Sequence, residues 1–508
     1  MRSSNRIIVN TLAQYVRTVI NMILSLYSSR LVLNIIGVED FGIYALVAGV
    51  VSMLSFLTNS LVGSTQRFLS VSQGKGNINI LKEVFSNSLI LHIALGLLVT
   101  LILEACTPFL FDDFLNIPTG RVAVAQILYQ QVIWMVYISF VASPFRALLV
   151  SRENIVYTSI IDILDGALKV VLVLVLPYIP TDKLYAYGWI MFSIQFVNLL
   201  AFMIYCYAKY EECVLPKLNA FSWTFVRKLS SYTGWVVYST VVIAARNQGV
   251  ALVINRFYSV AVNAAYGIGS QIASMLAFVS SSFTNAVSPQ LMAAEGASNH
   301  KKMWRLAEVQ SKFSFLLLAM LAIPTMFEMP TLMTIWLGQI PEKAVMFACM
   351  FITMQTLDQL SQGLGLANRA IGNIGKYTLV TYTPKLLILP LGYAILRGGL
   401  SIFYIVFFMV VIEYVCMLLR IYLFRKLEDF SVKSYCVNVL GRTLWPVVIT
   451  FVIACGIVYT CDVKFRFFIT YSVSILVFVV VTYMLALNKT EKDVVAVVVK
   501  NVLNKVHK

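Results

Sequence analysis

Eight ionisable side chains stand inside runs that are otherwise apolar enough for a lipid bilayer. The cations are Arg17, Lys169, Arg246 and Lys385, and the clearest acids are Asp162, Asp165, Asp358 and Glu413. A charged side chain at the centre of a spanning helix costs about 2.5–3.5 kcal/mol. Eight of them facing lipid would cost on the order of 20 kcal/mol, comparable to or above a typical total stability. They must mostly face protein or a water-filled cavity, where a buried carboxylate can titrate or hold a small cation.

The spacing around them supports this placement. Asn10, Gln14, Arg17, Asn21 and Ser28 recur at helical steps and make one polar stripe on an apolar helix. Thr158, Asp162, Asp165 and Lys169 form a second stripe, and Gln355, Gln359, Gln362 and Arg369 a looser third. The ARNQG patch around Arg246 is polar but not cleanly striped. Such faces are expected to line a hydrated cleft between helix bundles. Each also has a plainer reading. Asp165 and Lys169 are four apart and could neutralise each other. Arg17 could pair with an acid on a neighbouring helix, and Asp358 and Glu413 could be buried helix contacts. Pro324, Pro384, Pro390 and Pro446 are expected to bend their helices.

The chain that positions these residues is 59% hydrophobic and only 12% charged over 508 residues, with a mean hydropathy of +0.83. Soluble domains are about a quarter charged, so the chain reads as an integral membrane protein. Its net charge of +16 is spread over short loops rather than gathered on one arm, which argues against nucleic acid. Eight cysteines show no CxxC spacing, and no P-loop or zinc pattern occurs, so no metal or cofactor is expected. His92, in an apolar run, is expected to make a polar contact to a neighbouring helix. No cleavable signal peptide is expected, because Arg17 interrupts the one candidate.

About fourteen runs reach the roughly 20 residues that a spanning helix needs. They begin near Ile7, Phe41, Phe85, Val122, Ile155, Leu184, Tyr232, Val260, Phe313, Ala344, Tyr377, Leu400, Cys436 and Phe467. With both termini inside, about 27 Lys/Arg fall in inner loops and about 8 in outer ones, as the positive-inside rule requires. Arg67, Lys75, Lys82, Lys301, Lys302 and Arg305 are then inner, and Arg30, Arg121, Lys183 and Arg397 outer. The tail places Val495, Val498, Val499, Val502 and Val506 on one face, which reads as a basic amphipathic helix on the inner leaflet.

The sequence repeats itself. LVLN at 31–34 matches LVIN at 252–255, Tyr44 matches Tyr266, SMLSF at 52–56 matches SMLAF at 274–278, and LKEVFS at 81–86 matches LAEVQS at 306–311. The shift corresponds to six spans, an even number, so the halves keep one orientation. The expected architecture is all-α: an N-lobe at 1–220, a C-lobe at 221–430, two further spans at 431–488 and the tail at 489–508.

The segments GVEDFGIYALVAGVVSMLSFLTNSLVGSTQRFLSVSQGKGN (37–77) and NQGVALVINRFYSVAVNAAYGIGSQIASMLAFVSSSFTNAVSPQLM (247–292) resemble bacterial polysaccharide flippases of the Wzx type. These belong to the multidrug/oligosaccharidyl-lipid/polysaccharide (MOP) exporter superfamily. The resemblance implies a two-lobed, MATE-like helical bundle in the cytoplasmic membrane, with both termini cytoplasmic. It also implies alternating-access transfer of an undecaprenyl-diphosphate-linked oligosaccharide, such as an O-antigen or capsule unit, from inner to outer leaflet. A diphosphate head needs cations, and arginine presents a fixed fork of donors to phosphate oxygens. Arg17 and Arg246 are the leading expected contacts, followed by Lys169 and Lys385, with Gln14 and Asn21 beside Arg17. Asp162, Asp165, Asp358 and Glu413 are the expected sites for a coupling proton or sodium ion. The expected partners are the lipid-linked substrate, membrane lipids and polysaccharide assembly enzymes, around a monomer. The rival readings are an organic-cation exporter of the drug-efflux branch, which would want acids in its cleft, and a membrane glycan polymerase or ligase. The latter would need a sizeable outer loop. The one acidic outer loop, 104–120 with Asp112 and Asp113, reads as a solvated cap.

Overall fold

The computed structural model describes residues 3–52, 54–114, 117–216, 221–258, 260–425, 430–460 and 465–493. Helix is the regular structure throughout these residues. The predicted tail helix lies almost wholly outside them, as do the side chains of Asp112 and Asp113. Among the described residues, eleven helices are long and apolar enough to cross a membrane. The runs predicted to begin near Phe41, Ile155 and Ala344 are also helical but fall outside those eleven: the first is divided between a helix ending at Ser52 and one starting at Ser55, and the second carries three charges, Asp162, Asp165 and Lys169. Several helices start well before the predicted apolar run. The span expected from Phe313 begins at His300, and the one expected from Tyr232 at Trp223. A helix satisfies its own backbone hydrogen bonds, so it can run past the lipid boundary into a charged first turn.

The described chain separates into two compact units. The first comprises residues 8–237 with 296–298. It holds α1 (Ser3–Ser52), α2 (Ser55–Gly74), α3 (Ile78–Ala105), α4 (Val122–Ser151), α5 (Ile155–Val175), α6 (Lys183–Lys209) and the start of α7 (Trp223–Phe257). α1 is broken at Gly37, whose φ of 85° lies in the left-handed region that favours glycine. The core joins Leu69 of α2, Phe85 and Leu89 of α3, Phe145 of α4 and Phe202 of α6. Gly188 of α6 makes room for the Gln131 side chain of α4, whose Oε1 would stand 1.7 Å from a Cβ there.

The second unit comprises residues 1–7, 238–295 and 299–508. It holds the rest of α7, α8 (Val260–Gly296), α9 (His300–Phe327), α10 (Met329–Leu337), α11 (Ala344–Ile371), α12 (Gly375–Tyr382), α13 (Ile388–Arg397), α14 (Phe403–Phe424), α15 (Val432–Tyr435), α16 (Arg442–Thr460) and α17 (Arg466–Val481). Its core packs Tyr266 of α8 edge-on against Phe347 and Phe351 of α11. Gly363 of α11 fits against α9, where a Cβ would meet the Ala307 carbonyl at 2.0 Å, and its N–H donates to Ser311 Oγ at 2.8 Å. A 3₁₀ turn at Thr383–Leu387, opened by Pro384, separates α12 from α13. α17 is pinned by Arg466, which donates to the fully buried Glu328 at the end of α9, with Thr331 and Thr470 donating to the same carboxylate.

Polar and apolar faces are inverted relative to a soluble protein. On α1, Leu12, Val16, Val19 and Ile23 are more than half exposed while Asn10 and Gln14 are buried. On α5, Ile160, Leu164 and Val171 are exposed and Thr158 is buried. Apolar side chains outside and polar ones inside is what a hydrocarbon solvent selects. His92 differs from expectation. It is buried, but its Nδ1 lies 2.6 Å from the Ser88 carbonyl of its own helix, and Nε2 has no partner among the described residues. The carbonyl one turn back is always within reach, so no neighbouring helix is needed.

Candidate functional site

The polar stripes of α1 and α5 meet along their length. Asn10 Nδ2 donates to the Glu153 carbonyl just before α5, Arg17 Nη1 donates to Asp162 Oδ2 at 2.7 Å, and Asn21 Oδ1 lies against Gly166. Residue numbers rise together on both helices, so α1 and α5 run parallel. The same Asp162 oxygen accepts from Arg146 Nη2 of α4 at 2.8 Å. One turn further, Asp165 binds Lys169 Nζ at 2.7 Å and accepts from Asn198 Nδ2 of α6 at 2.6 Å. Three cations, Arg17, Arg146 and Lys169, thus share two carboxylates, Asp162 and Asp165. A cavity of about 230 Å³ opens beside them, lined by Asn59, Arg146, Asp162, Asp165, Lys169 and Asn198 among others. The groups remain partly exposed: 40% for Arg146, 38% for Lys169, 21% for Arg17 and 20% for each carboxylate.

The second unit holds a cluster of the same charge count in which all but Asp358, 22% exposed, are more buried. Glu413 of α14 receives Lys385 Nζ at 2.5 Å on one oxygen and Arg246 Nη1 of α7 at 3.1 Å on the other. Asp358 of α11 binds Arg420 Nη1 of α14 at 2.8 Å, and Lys385 Nζ stands 3.9 Å from it. Arg420 also donates to Ser361, and Lys385 sits in the 3₁₀ turn between α12 and α13. Again three cations share two carboxylates, but Arg420, Lys385 and Glu413 are 4% exposed or less.

All eight charges singled out by sequence therefore fall into two clusters, four in each. Gln14 is buried on the α1 stripe. The sequence reading missed Arg146 and Arg420. Both lie close to the C-terminal ends of their predicted spans, where an arginine reads as a loop charge. Among the described residues no group of three or more His, Cys, Asp or Glu could hold a metal. A third ionic knot joins Arg121 Nη1 to Asp182 at 2.5 Å and binds Asp40 through Nε at 2.8 Å. Burial pushes the Asp182 carboxyl up, but Arg121 and the N–H groups of Leu184 and Tyr185 more than offset it and hold it below the usual carboxylate range.

Solved structures place this architecture. A multidrug-resistance MATE family transporter of the MOP superfamily, in an outward-facing conformation, superposes with a TM-score of 0.70 at 15% identity, over 85% of this chain and 97% of the other. MATE in its bent conformation gives 0.72 over the same shares at 15% identity. A MOP superfamily transporter from Pyrococcus furiosus, described as having a binding pocket of reverse polarity, gives 0.69 at 14% identity, over 85% and 96%. The protein is thus a multi-pass membrane protein with the fold of MOP transporters. Residues 5–295 match the model of the polysaccharide biosynthesis protein family, and the chain belongs to that family. The uncharacterized membrane protein EpsK of Bacillus subtilis strain 168 is 26% identical over 170 residues, so the chain spans about a third (33%) of that relative's length, and the match covers 33% of this chain.

Proposed function

We propose that the protein moves an undecaprenyl-diphosphate-linked oligosaccharide from the inner to the outer leaflet of a bacterial cytoplasmic membrane by alternating access. The observation that carries this reading is the convergence of Arg17, Arg146 and Lys169 from α1, α4 and α5 beside a polar cavity, in a chain of the polysaccharide biosynthesis family. The lipid tail of such a cargo can stay in hydrocarbon, and its diphosphate head cannot. Two forked guanidiniums and an ammonium suit phosphate oxygens, and each charge-assisted hydrogen bond contributes about 1.5–3 kcal/mol toward the lost hydration. Gln14 and Asn21 flank Arg17 on the same stripe. Arg246 and Lys385 reach an anion only if Glu413 releases them. Both termini face the cytoplasm in this reading, and the parallel course of α1 and α5 agrees with their both being odd-numbered spans.

A proton or sodium ion drives the cycle through one of Asp162, Asp165, Asp358 or Glu413. Transport in vesicles with and without an imposed gradient of each ion tests that. An organic-cation exporter is supported by the MATE-like fold alone, and the excess of cations beside the cavity speaks against it. The deciding experiment replaces Arg17 by Ala and Arg146 by Gln in a strain whose surface glycan depends on this chain. Export is expected to fall at least tenfold, the loss of about 1.4 kcal/mol or more, with normal amounts of protein in the membrane. Undiminished export by the well-inserted double variant would remove the assignment.

A further inference from the structure

We infer that Asp162 is a built-in counter-ion that occupies the anion site when no head group is present and competes with the cargo for Arg17 and Arg146. The inference rests on the transport reading above and adds a residue that sets how tightly cargo is held. Its basis is geometric. A single oxygen, Asp162 Oδ2, accepts from Arg17 at 2.7 Å and from Arg146 at 2.8 Å, and so occupies the point where the two guanidiniums converge. A phosphate oxygen would have to take that point to be bound by both. The carboxylate lines the cavity and is one-fifth exposed, so an anion entering the cavity meets it. Asp165 stands in the same relation to Lys169, with Asn198 as a second donor. Both carboxylates come from one helix, α5, three residues apart, while two of the three cations come from α1 and α4. A small rotation or shift of α5 would therefore withdraw or return Asp162 relative to Arg17 and Arg146, while Asp165 keeps its pair with Lys169 of the same helix.

The physical need is release. Three unopposed cations at bilayer depth would be costly when empty and would hold a diphosphate too tightly to turn over. A carboxylate that re-forms its pairs as the head group leaves lowers both costs. The same geometry fixes the sign of the test. If Asp162 merely props up the fold, neutralising it weakens binding or leaves it unchanged. If it competes, neutralising it tightens binding.

The test uses the full-length purified protein in detergent and undecaprenyl diphosphate as the probe, with inorganic pyrophosphate as competitor. Wild type, Asp162→Asn and, independently, Asp165→Asn are compared. Each Asn variant is expected to bind the diphosphate lipid about tenfold more tightly, since a unit charge a few ångströms away no longer competes for the cations. In reconstituted vesicles KM and kcat should fall together, because release becomes slow. Equal or weaker binding by the folded Asp162→Asn protein overturns the inference. If that variant does not fold, unchanged or weaker binding by Asp165→Asn overturns it instead. Failure of the transport reading gives a different result: wild type itself does not bind the diphosphate lipid, and Arg146→Gln changes nothing.

Discussion

The two charge clusters have one charge count but different surroundings, and replacing Glu413 by Gln separates what each contributes. Glu413 holds Lys385 at 2.5 Å and Arg246 at 3.1 Å with side chains 4% and 11% exposed. Glutamine keeps the shape and removes the charge, leaving two cations with little access to water. Breaking a buried ion pair in this way costs about 3–5 kcal/mol, a large part of the 5–15 kcal/mol that typically separates folded from unfolded. Lys385 keeps one distant partner in Asp358 at 3.9 Å, which holds the estimate within that range even though two pairs are lost. By contrast, Asp162 serves partners that are 21% and 40% exposed, where water can replace it and the cost is about 1 kcal/mol or less. Thermal unfolding of the detergent-solubilised protein, followed by loss of the monodisperse peak on gel filtration, should show Glu413→Gln melting roughly 6–20 °C below wild type on the scale known for domains of this size. Asp162→Asn should melt within a few degrees of wild type. Substituting all three members apolarly, as Arg246→Met, Lys385→Met and Glu413→Leu, should recover much of the loss, because no charge is then left unpaired. If Glu413→Gln melts with wild type, the second cluster is hydrated and its burial is not what distinguishes it.

Other consequences follow from single contacts. Gly363→Leu should leave little folded protein by the same gel-filtration assay, since a Cβ there meets the Ala307 carbonyl at 2.0 Å and overpacking of a tight helix pair costs about 1–3 kcal/mol or more. Glu328 is held below its ordinary pKa of 4.5: burial raises it, but Arg466, Thr331 and Thr470 more than offset that. A carboxyl depressed in the fold contributes stability that is fully present above its unfolded value and is lost as pH falls through the lowered folded one. Melting temperature should therefore drop below about pH 4.5, and Arg466→Met should remove much of that acid-sensitive stability, as melting curves between pH 3 and 7 would show. Lys312→Met should loosen the segment after α17, because Lys312 Nζ binds Glu491 at 2.6 Å in a buried setting. Faster proteolysis near residue 491, with export retained, is the expected readout.

Much of the site is legible in one dimension because helical periodicity is local. Asn10, Gln14, Arg17 and Asn21 must share a face of any helix they form, and so must Thr158, Asp162, Asp165 and Lys169. The cost of charge in hydrocarbon then requires those faces to turn away from lipid, and the all-helical fold and membrane class follow from composition and backbone hydrogen bonding alone. Which stripe meets which is not local. That Arg17 finds Asp162, and that Glu413 takes both Arg246 and Lys385, depends on helices far apart in sequence. Arg146 and Arg420 were missed for a different reason: each falls near the C-terminal end of its predicted span, where an arginine reads as a loop charge, although Ser139 and Ser143 share a face with the one and Glu413 with the other. Nor could spacing distinguish the two clusters. Three cations and two carboxylates border a cavity in one unit, whereas in the other Arg420, Lys385 and Glu413 are buried and only Asp358 stays as exposed as the first pair of carboxylates. Burial is set by the helices packed around a residue and not by the residue's place in the chain.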